Sequence, residues 1–352
     1  MNQITVAFPG LWDGEFTLNK VLFEFTMFGR EFSIRWYAVL IVVGMILAGL
    51  YGAWRSKQEG IKLDDLLDMA LFAIVFGIIG ARLYYVLMTL GNGEYKSFYD
   101  VIAIWNGGLA IYGGIIAGAL TIVVICRIKK INIFKAFDMA APAVMIGQML
   151  GRWGNFFNGE AYGYEVLAGS PLYFLRMGLI PNVESSFKMH YFHPTFLYES
   201  LWNLIGFIII NIFYKRKKFN GQIFYMYISW YGFGRMLIEG LRTDSLYIGP
   251  FRVSQVVGFL CFIIGTTMLV LNLLKARRAR LAGADYDAAY PQFKTSLSTK
   301  KDETTTEKKQ DEPPVSAPNI EPTDKTDEEN DPDMMDTEIV IPPTENETDK
   351  NN

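Results

Sequence analysis

The sequence predicts an all-α integral membrane protein of seven transmembrane helices followed by a disordered acidic tail. Three observations predict it. Of the 352 residues, 51% are hydrophobic and 15% aromatic. Seven apolar stretches come near or exceed the ~20 helical residues that cross a bilayer core. Charge also divides along the chain. Residues 283–352 hold 7 Lys, no Arg and 19 Asp plus Glu, a net of −12; the whole chain is −3, so residues 1–282 carry +9. A basic membrane body with an acidic soluble appendix follows.

The spans fall at about 36–54, 68–89, 105–126, 136–156, 194–214, 221–241 and 252–274. The third opens amid Trp105-Asn106-Gly107-Gly108, and the fourth runs into a segment rich in Gly and Asn. Broken or re-entrant helices at these two places are tolerated only where protein or water covers the backbone. Basic residues collect in alternate loops: Arg55, Lys57 and Lys62; Arg127, Lys129, Lys130 and Lys135; Lys215 to Lys218; and Lys275, Arg277, Arg278 and Arg280. The positive-inside rule therefore places the N-terminus outside and the C-terminus in the cytoplasm, as an odd number of spans requires.

The segment before the first span has no basic start followed by an apolar stretch, so no cleavable signal peptide is expected. Its alternating residues (Leu22-Phe23-Glu24-Phe25, Phe28, Phe32, Ile34) predict a short hairpin or interfacial element. The division is thus an extracytoplasmic cap over 1–35, a seven-helix catalytic body over 36–282 and a cytoplasmic tail over 283–352. That tail buries too little apolar surface to offset its chain entropy.

Several chemistries are excluded. The two cysteines, Cys126 and Cys261, support neither a disulfide framework nor a thiolate metal site. There is no Gly-x-Ser-x-Gly elbow, zinc-binding His-Glu-x-x-His or Walker loop. The seventh span has no lysine for a retinal Schiff base. No internal repeat suggests a transporter with inverted halves.

The candidate site lies at residues 151–163, Gly-Arg-Trp-Gly-Asn-Phe-Phe-Asn-Gly-Glu-Ala-Tyr-Gly. Arg152, Asn155, Asn158 and Glu160 stand there where an apolar helix reaches the headgroups, and ionisable groups so placed usually face a cavity and carry function. Arg82, Glu199, Arg235 and Glu239 are further ionisable residues within spans. Tyr231, Arg235, Glu239 and Arg242 follow one another at helical spacing, with Arg235 and Glu239 paired as i and i+4. Arg242 has no such local partner. Arginines converging on one leaflet suggest an anion, most simply a phosphate, whose oxygens match the guanidinium fork. His193 precedes Pro194 and Glu199 at the same level, in a pH range that suits acid–base work. Tyr112 lies between glycines in Trp105-Asn106-Gly107-Gly108-Leu109-Ala110-Ile111-Tyr112-Gly113-Gly114, and Tyr37 in Arg35-Trp36-Tyr37 fits an aromatic belt.

These elements resemble the prolipoprotein diacylglyceryl transferases, integral enzymes of the bacterial cytoplasmic membrane. The resemblance spans roughly residues 15–275 and is strongest over Gly151-Arg152-Trp153-Gly154-Asn155-Phe156-Phe157-Asn158-Gly159-Glu160, which is close to the family signature letter for letter. Gly80-Ala81-Arg82 and His193-Pro194-Thr195-x-Leu197-Tyr198-Glu199 support it. It implies transfer of the sn-1,2-diacylglyceryl group of phosphatidylglycerol to a cysteine thiol in a preprolipoprotein signal peptide, with glycerol 1-phosphate leaving. The implied catalytic residues are Arg152, Arg235 and Tyr112. Asn155, Asn158, Glu160, Tyr37, Tyr231, Glu239, Arg242 and His193 would bind substrate, and the bilayer supplies the lipid. No metal, cofactor or nucleic-acid partner is expected. One residue departs from the pattern: family members commonly carry histidine at the position of Tyr112. Tyrosine does not accept a proton near neutral pH as histidine does, so a hydrogen-bonding role is the favoured expectation and the base is unassigned. The same residues admit two other readings, a weak or inactive paralogue that binds lipoprotein precursors and an anion or lipid transporter.

Overall fold

The structure, a computed structural model, describes residues 2–92, 95, 97–180 and 189–283. The predicted tail lies outside these residues apart from Gly283.

Seven long helices carry the fold: α1 (Trp36–Glu59), α2 (Leu63–Thr89), α4 (Ile111–Ile128), α5 (Ile133–Asn158), α6 (Thr195–Tyr214), α7 (Gln222–Glu239) and α8 (Val253–Leu281). A short α3 (Phe98–Ile102) sits between α2 and α4. Six of the seven are long and apolar enough to cross a membrane; α7, which carries Arg235 and Glu239, is not among them. The protein is a mostly helical, multi-pass membrane protein.

Helix ends depart from the apolar spans for electrostatic reasons. The α2 helix begins at Leu63, where Asp64 and Asp65 favour the positive end of the helix dipole. The α8 helix runs on through Lys275 to Arg280, with Arg278 and Arg280 in the last turn at the negative end of the helix dipole. The largest correction concerns the third span. Ile104–Asn106 form one 3-10 turn, residues 107–110 are not helical, and α4 starts only at Ile111. Gly107 and Gly108 take φ of 87° and 76°, values that side chains with a Cβ rarely adopt. The Arg82 guanidinium holds this loop by donating to the carbonyls of Asp100, Val101, Gly107 and Gly108 at 2.6–2.9 Å. Arg82 thus braces backbone rather than balancing a carboxylate. The fourth span, by contrast, stays helical through Asn158.

The N-terminal alternation becomes strands. β1 (Gln3–Phe8) and β2 (Trp12–Asn19) form a hairpin, as do β3 (Val21–Met27) and β4 (Arg30–Arg35). β1 also pairs with β5 (Met177–Leu179), which pairs with β6 (His190–Phe192), giving one antiparallel sheet in the order β2-β1-β5-β6. A small hairpin, β7 (Tyr247–Ile248) with β8 (Phe251–Arg252), links α7 to α8. Ile4, Val6, Met177, Leu179 and Phe192 of the sheet pack in one core with Phe156 of α5 and Phe196 of α6. The sheet is therefore seated on the ends of the two helices that carry Arg152 and Glu199.

The opposite end of the bundle is closed by buried charges. Asp138 of α5, fully buried, accepts from the backbone N–H of Gly221 and Phe224, both at 2.9 Å. It thereby caps α7, whose own N-cap residue is a glycine. Lys217 bridges Asp138 at 3.2 Å to Glu59 of α1 at 2.6 Å.

Candidate active site

The polar face of the signature segment forms the last two turns of α5. Asn155 and Asn158 are three apart and Arg152 is three residues earlier, so the three line one side of the helix. Gly159 ends it in the left-handed conformation, φ 65°, the usual means of reversing a chain at a helix C-terminus. That reversal brings Glu160 back over the helix end, where its Oε1 accepts from Asn155 Nδ2 at 3.1 Å and Asn158 Nδ2 at 3.0 Å. Asn155 Oδ1 in turn accepts from Arg152 Nη1 at 3.3 Å. Glu160 therefore acts on Arg152 through an asparagine. Among the described residues, Asn158 Oδ1 is buried without a hydrogen-bond partner.

Glu199, near the start of α6, is the centre of the site. Its carboxylate lies 2.6 Å from Arg152 Nη2, accepts from Arg235 Nη1 at 3.2 Å and accepts from Arg242 Nη1 at 2.9 Å. Arg235 also pairs with Glu239 one turn on, at 2.7 Å, as the helical spacing predicts. Arg242 does have a local partner, contrary to expectation: Asp244 takes its Nε and Nη2 as a fork at 2.9 and 2.7 Å. The short Arg242-Thr243-Asp244 spacing is the signal that helical periodicity passed over, because the chain has left α7 by then. Burial would raise the Asp244 carboxyl, but the hydrogen bonds and charge of Arg242 outweigh it and hold the group below its ordinary range. Burial likewise opposes the charge on Arg242, and Asp244 and Glu199 more than restore it. Of the three arginine side chains, that of Arg152 is the most exposed, at 23% against 14% for Arg235 and 9% for Arg242.

The remaining candidates surround this group. Tyr231, half-buried on α7, lies in electrostatic reach of Arg235, Glu199, Arg152 and Tyr112. Tyr112, at the start of α4, shares a 3.0 Å hydrogen bond with Ser254 of α8. The Tyr37 ring packs on α5 at Gly154. His193 is set apart: its ring partner among the described residues is Tyr198, at 3.2 Å, and burial lowers its proton affinity. Its backbone matters more, since it exchanges hydrogen bonds with Gly163 and Tyr164 at 2.9 and 3.0 Å. A Cβ on Gly163 would stand 2.7 Å from His193 Cβ and 2.8 Å from the Leu241 carbonyl, so only glycine lets the chain run between β6 and the end of α7.

Arg252 is not among the residues that the sequence singles out. It donates to the carbonyls of Glu239 and Arg242 and, at 2.9 Å, to Tyr164 Oη. It clasps the end of α7 to the segment that follows the signature.

A family profile described as prolipoprotein diacylglyceryl transferase matches residues 23–271, a region that contains every residue of this site. The chain is 44% identical over 248 residues to the phosphatidylglycerol–prolipoprotein diacylglyceryl transferase of Streptococcus agalactiae serotype Ia, covering 68% of this chain and 91% of that protein. It is 43% identical over 258 residues to the protein of the same name from Streptococcus pyogenes serotype M1, covering 72% and 94%.

Proposed function

The chain belongs to the prolipoprotein diacylglyceryl transferase family, and from that premise we infer how its charged cluster serves the transfer. The protein is a transferase of lipoprotein maturation. It moves a diacylglyceryl group from phosphatidylglycerol to a prolipoprotein, and the acceptor in this reading is the lipobox cysteine of the signal peptide.

The thiol sulfur, once deprotonated, attacks the glyceryl carbon that bears the phosphate. A C–S bond forms, the C–O bond breaks, and glycerol 1-phosphate departs with the electron pair. Negative charge grows on the leaving phosphate, so fixed guanidiniums aimed at it lower the barrier. Arg152 carries this reading: its side chain is the most exposed of the three, and its partners in the structure are Glu199 and Asn155. A guanidinium has five N–H donors, so it can hold an anion without releasing Glu199. Arg235 and Arg242 draw on the same Glu199 carboxylate, which is therefore divided among three cations. The buried, unpartnered Asn158 Oδ1 suits a hydroxyl of the glycerol headgroup. Tyr112 donates to or accepts from Ser254, which favours a structural hydrogen bond over service as the base.

The location follows from charge. The cluster lies at the end of the bundle away from the basic loops, and this supports the outer leaflet of the bacterial plasma membrane as its location. The test is transfer of label from phosphatidylglycerol to a lipobox peptide in reconstituted vesicles. Wild type labels the peptide and Arg152→Ala does not; equal labelling by both would exclude Arg152 from the reaction.

A further inference from the structure

Two halves of the outer end of the bundle are internally pinned and barely joined. On one side, α4 packs along α2, and a Cβ on Gly113 would stand 2.3 Å from the Gly80 carbonyl. The Ala110 N–H donates to the Ala81 carbonyl at 3.0 Å, and Arg82 holds the loop that leads into α4. On the other side, α8 packs along α7. Gln255 donates to the Met236 carbonyl at 3.1 Å, and Arg252 clasps the carbonyls at the end of α7. No comparable packing joins α4 to α8 among the described residues. Across that seam runs the hydrogen bond between Tyr112 Oη and Ser254 Oγ, 3.0 Å long.

The position of this bond is informative. Tyr112 and Ser254 both lie in the first turn of their helices, where the apolar spans begin. Tyr112 is within electrostatic reach of Tyr231, and Tyr231 of Arg152 and Arg235. One turn deeper, Ile115, Ile116 and Val257 are exposed aliphatic side chains. A phospholipid sliding in from the leaflet would bring its phosphate past the Tyr112–Ser254 level toward the arginines, with its acyl chains trailing among these side chains. A signal helix, about 10 Å across, would have to part α4 and α8 along their length.

We propose that the seam between α4 and α8 is the lateral opening through which the phospholipid donor reaches the arginine cluster, and that the Tyr112–Ser254 hydrogen bond is its latch. This rests on the transferase reading. The latch assigns Ser254 a positioning role and gives Tyr112 a task that requires no proton transfer to substrate.

The experiment has two arms, each referred to wild-type transfer in the same vesicles. In the first, Ser254→Ala and Tyr112→Phe each remove the latch. Both shift the apparent KM for phosphatidylglycerol in the same direction, by roughly 2–10-fold as one hydrogen bond allows, and the double variant matches either single one. Loss of activity in Tyr112→Phe with normal kinetics in Ser254→Ala would overturn the latch. In the second, Tyr112→Cys and Ser254→Cys are joined by a short reducible bis-thiol linker in a background lacking Cys126 and Cys261. Phosphatidylglycerol with a photoactivatable acyl chain then labels α4 and α8 in the unlinked protein, loses that labelling on linkage and regains it on reduction. This arm needs no turnover. Labelling confined to other helices, or unchanged by the linker, would overturn the seam. Failure of wild type to transfer would strike the transferase reading, while labelling would still report on the seam.

Discussion

Arg152 Nη2 stands 2.6 Å from Glu199 Oε2, tying the last turns of α5 to the first turns of α6. The same carboxylate also receives Arg235 and Arg242. Three guanidiniums that would repel one another in a poorly solvated region share this carboxylate, with Glu239 and Asp244 as second partners of Arg235 and Arg242. The site is therefore assembled around Glu199, although Arg152 has the most exposed side chain of the three arginines.

Replacing Glu199 with Gln keeps the shape and removes the charge. Breaking a buried pair this way costs about 3–5 kcal/mol, because Arg152 is left without a carboxylate while Arg235 and Arg242 keep Glu239 and Asp244. Thermal unfolding in detergent should show that loss, and transfer should fall with it. A variant as stable as wild type would mean that Glu239 and Asp244 suffice to hold the arginines.

Asp244 predicts a pH dependence. Its carboxyl is held below the ordinary range by Arg242, so its contribution to stability is complete above the unfolded value of ~3.9 and is lost as pH falls through the lower folded value. Asp244→Asn should destabilise the protein at pH 7 and much less once pH falls below the folded value of Asp244. Since 47% of the Asp244 side chain is exposed, the effect is modest. Unfolding midpoints across that range check it, and an equal penalty at both pH values would contradict it.

Gly163→Ala tests the packing behind Arg242. The added Cβ meets the Leu241 carbonyl at 2.8 Å and must displace backbone, at a cost of about 1–3 kcal/mol. Because Gly163 bridges Arg242, transfer should fall further than stability does. Unchanged kcat with a lowered melting temperature would show that Arg242 tolerates the shift.

Asp138→Ala should do the reverse. It strips the cap from the first turn of α7 and leaves Lys217 short of a partner, at the far end of the bundle from the site. About 3 kcal/mol or more of stability is expected to go, with the transfer rate per folded molecule unchanged. A fall in rate per folded molecule would mean that the position of α7 is set from this end.

Much of this site was legible in the sequence, and the gaps have physical causes. Arg152, Asn155, Asn158 and Glu160 stood out because polar groups at the end of an apolar helix have few structural reasons to be there. The Arg235–Glu239 pair followed from helical spacing alone. Periodicity stops where helices stop, so Asp244 and Arg252, both beyond α7, were passed over. The meeting of Arg152 with Glu199 spans 47 residues, and no local rule encodes it. The start of α4 was misplaced because Trp105 to Ala110 is apolar enough to join the span. Its irregular backbone is tolerated only because Arg82, far earlier in the chain, satisfies its carbonyls.

The central claim is that Arg152 holds the departing phosphate with its guanidinium fork. The direct measurement is kcat/KM for phosphatidylglycerol with Arg152→Lys beside wild type, in vesicles of fixed composition. Lysine keeps the charge but not the paired planar donors, so a loss on the order of 10²–10³-fold is predicted, as for removal of a transition-state donor. Activity within about threefold of wild type would mean that charge alone suffices there, and the fork would have no part in the reaction.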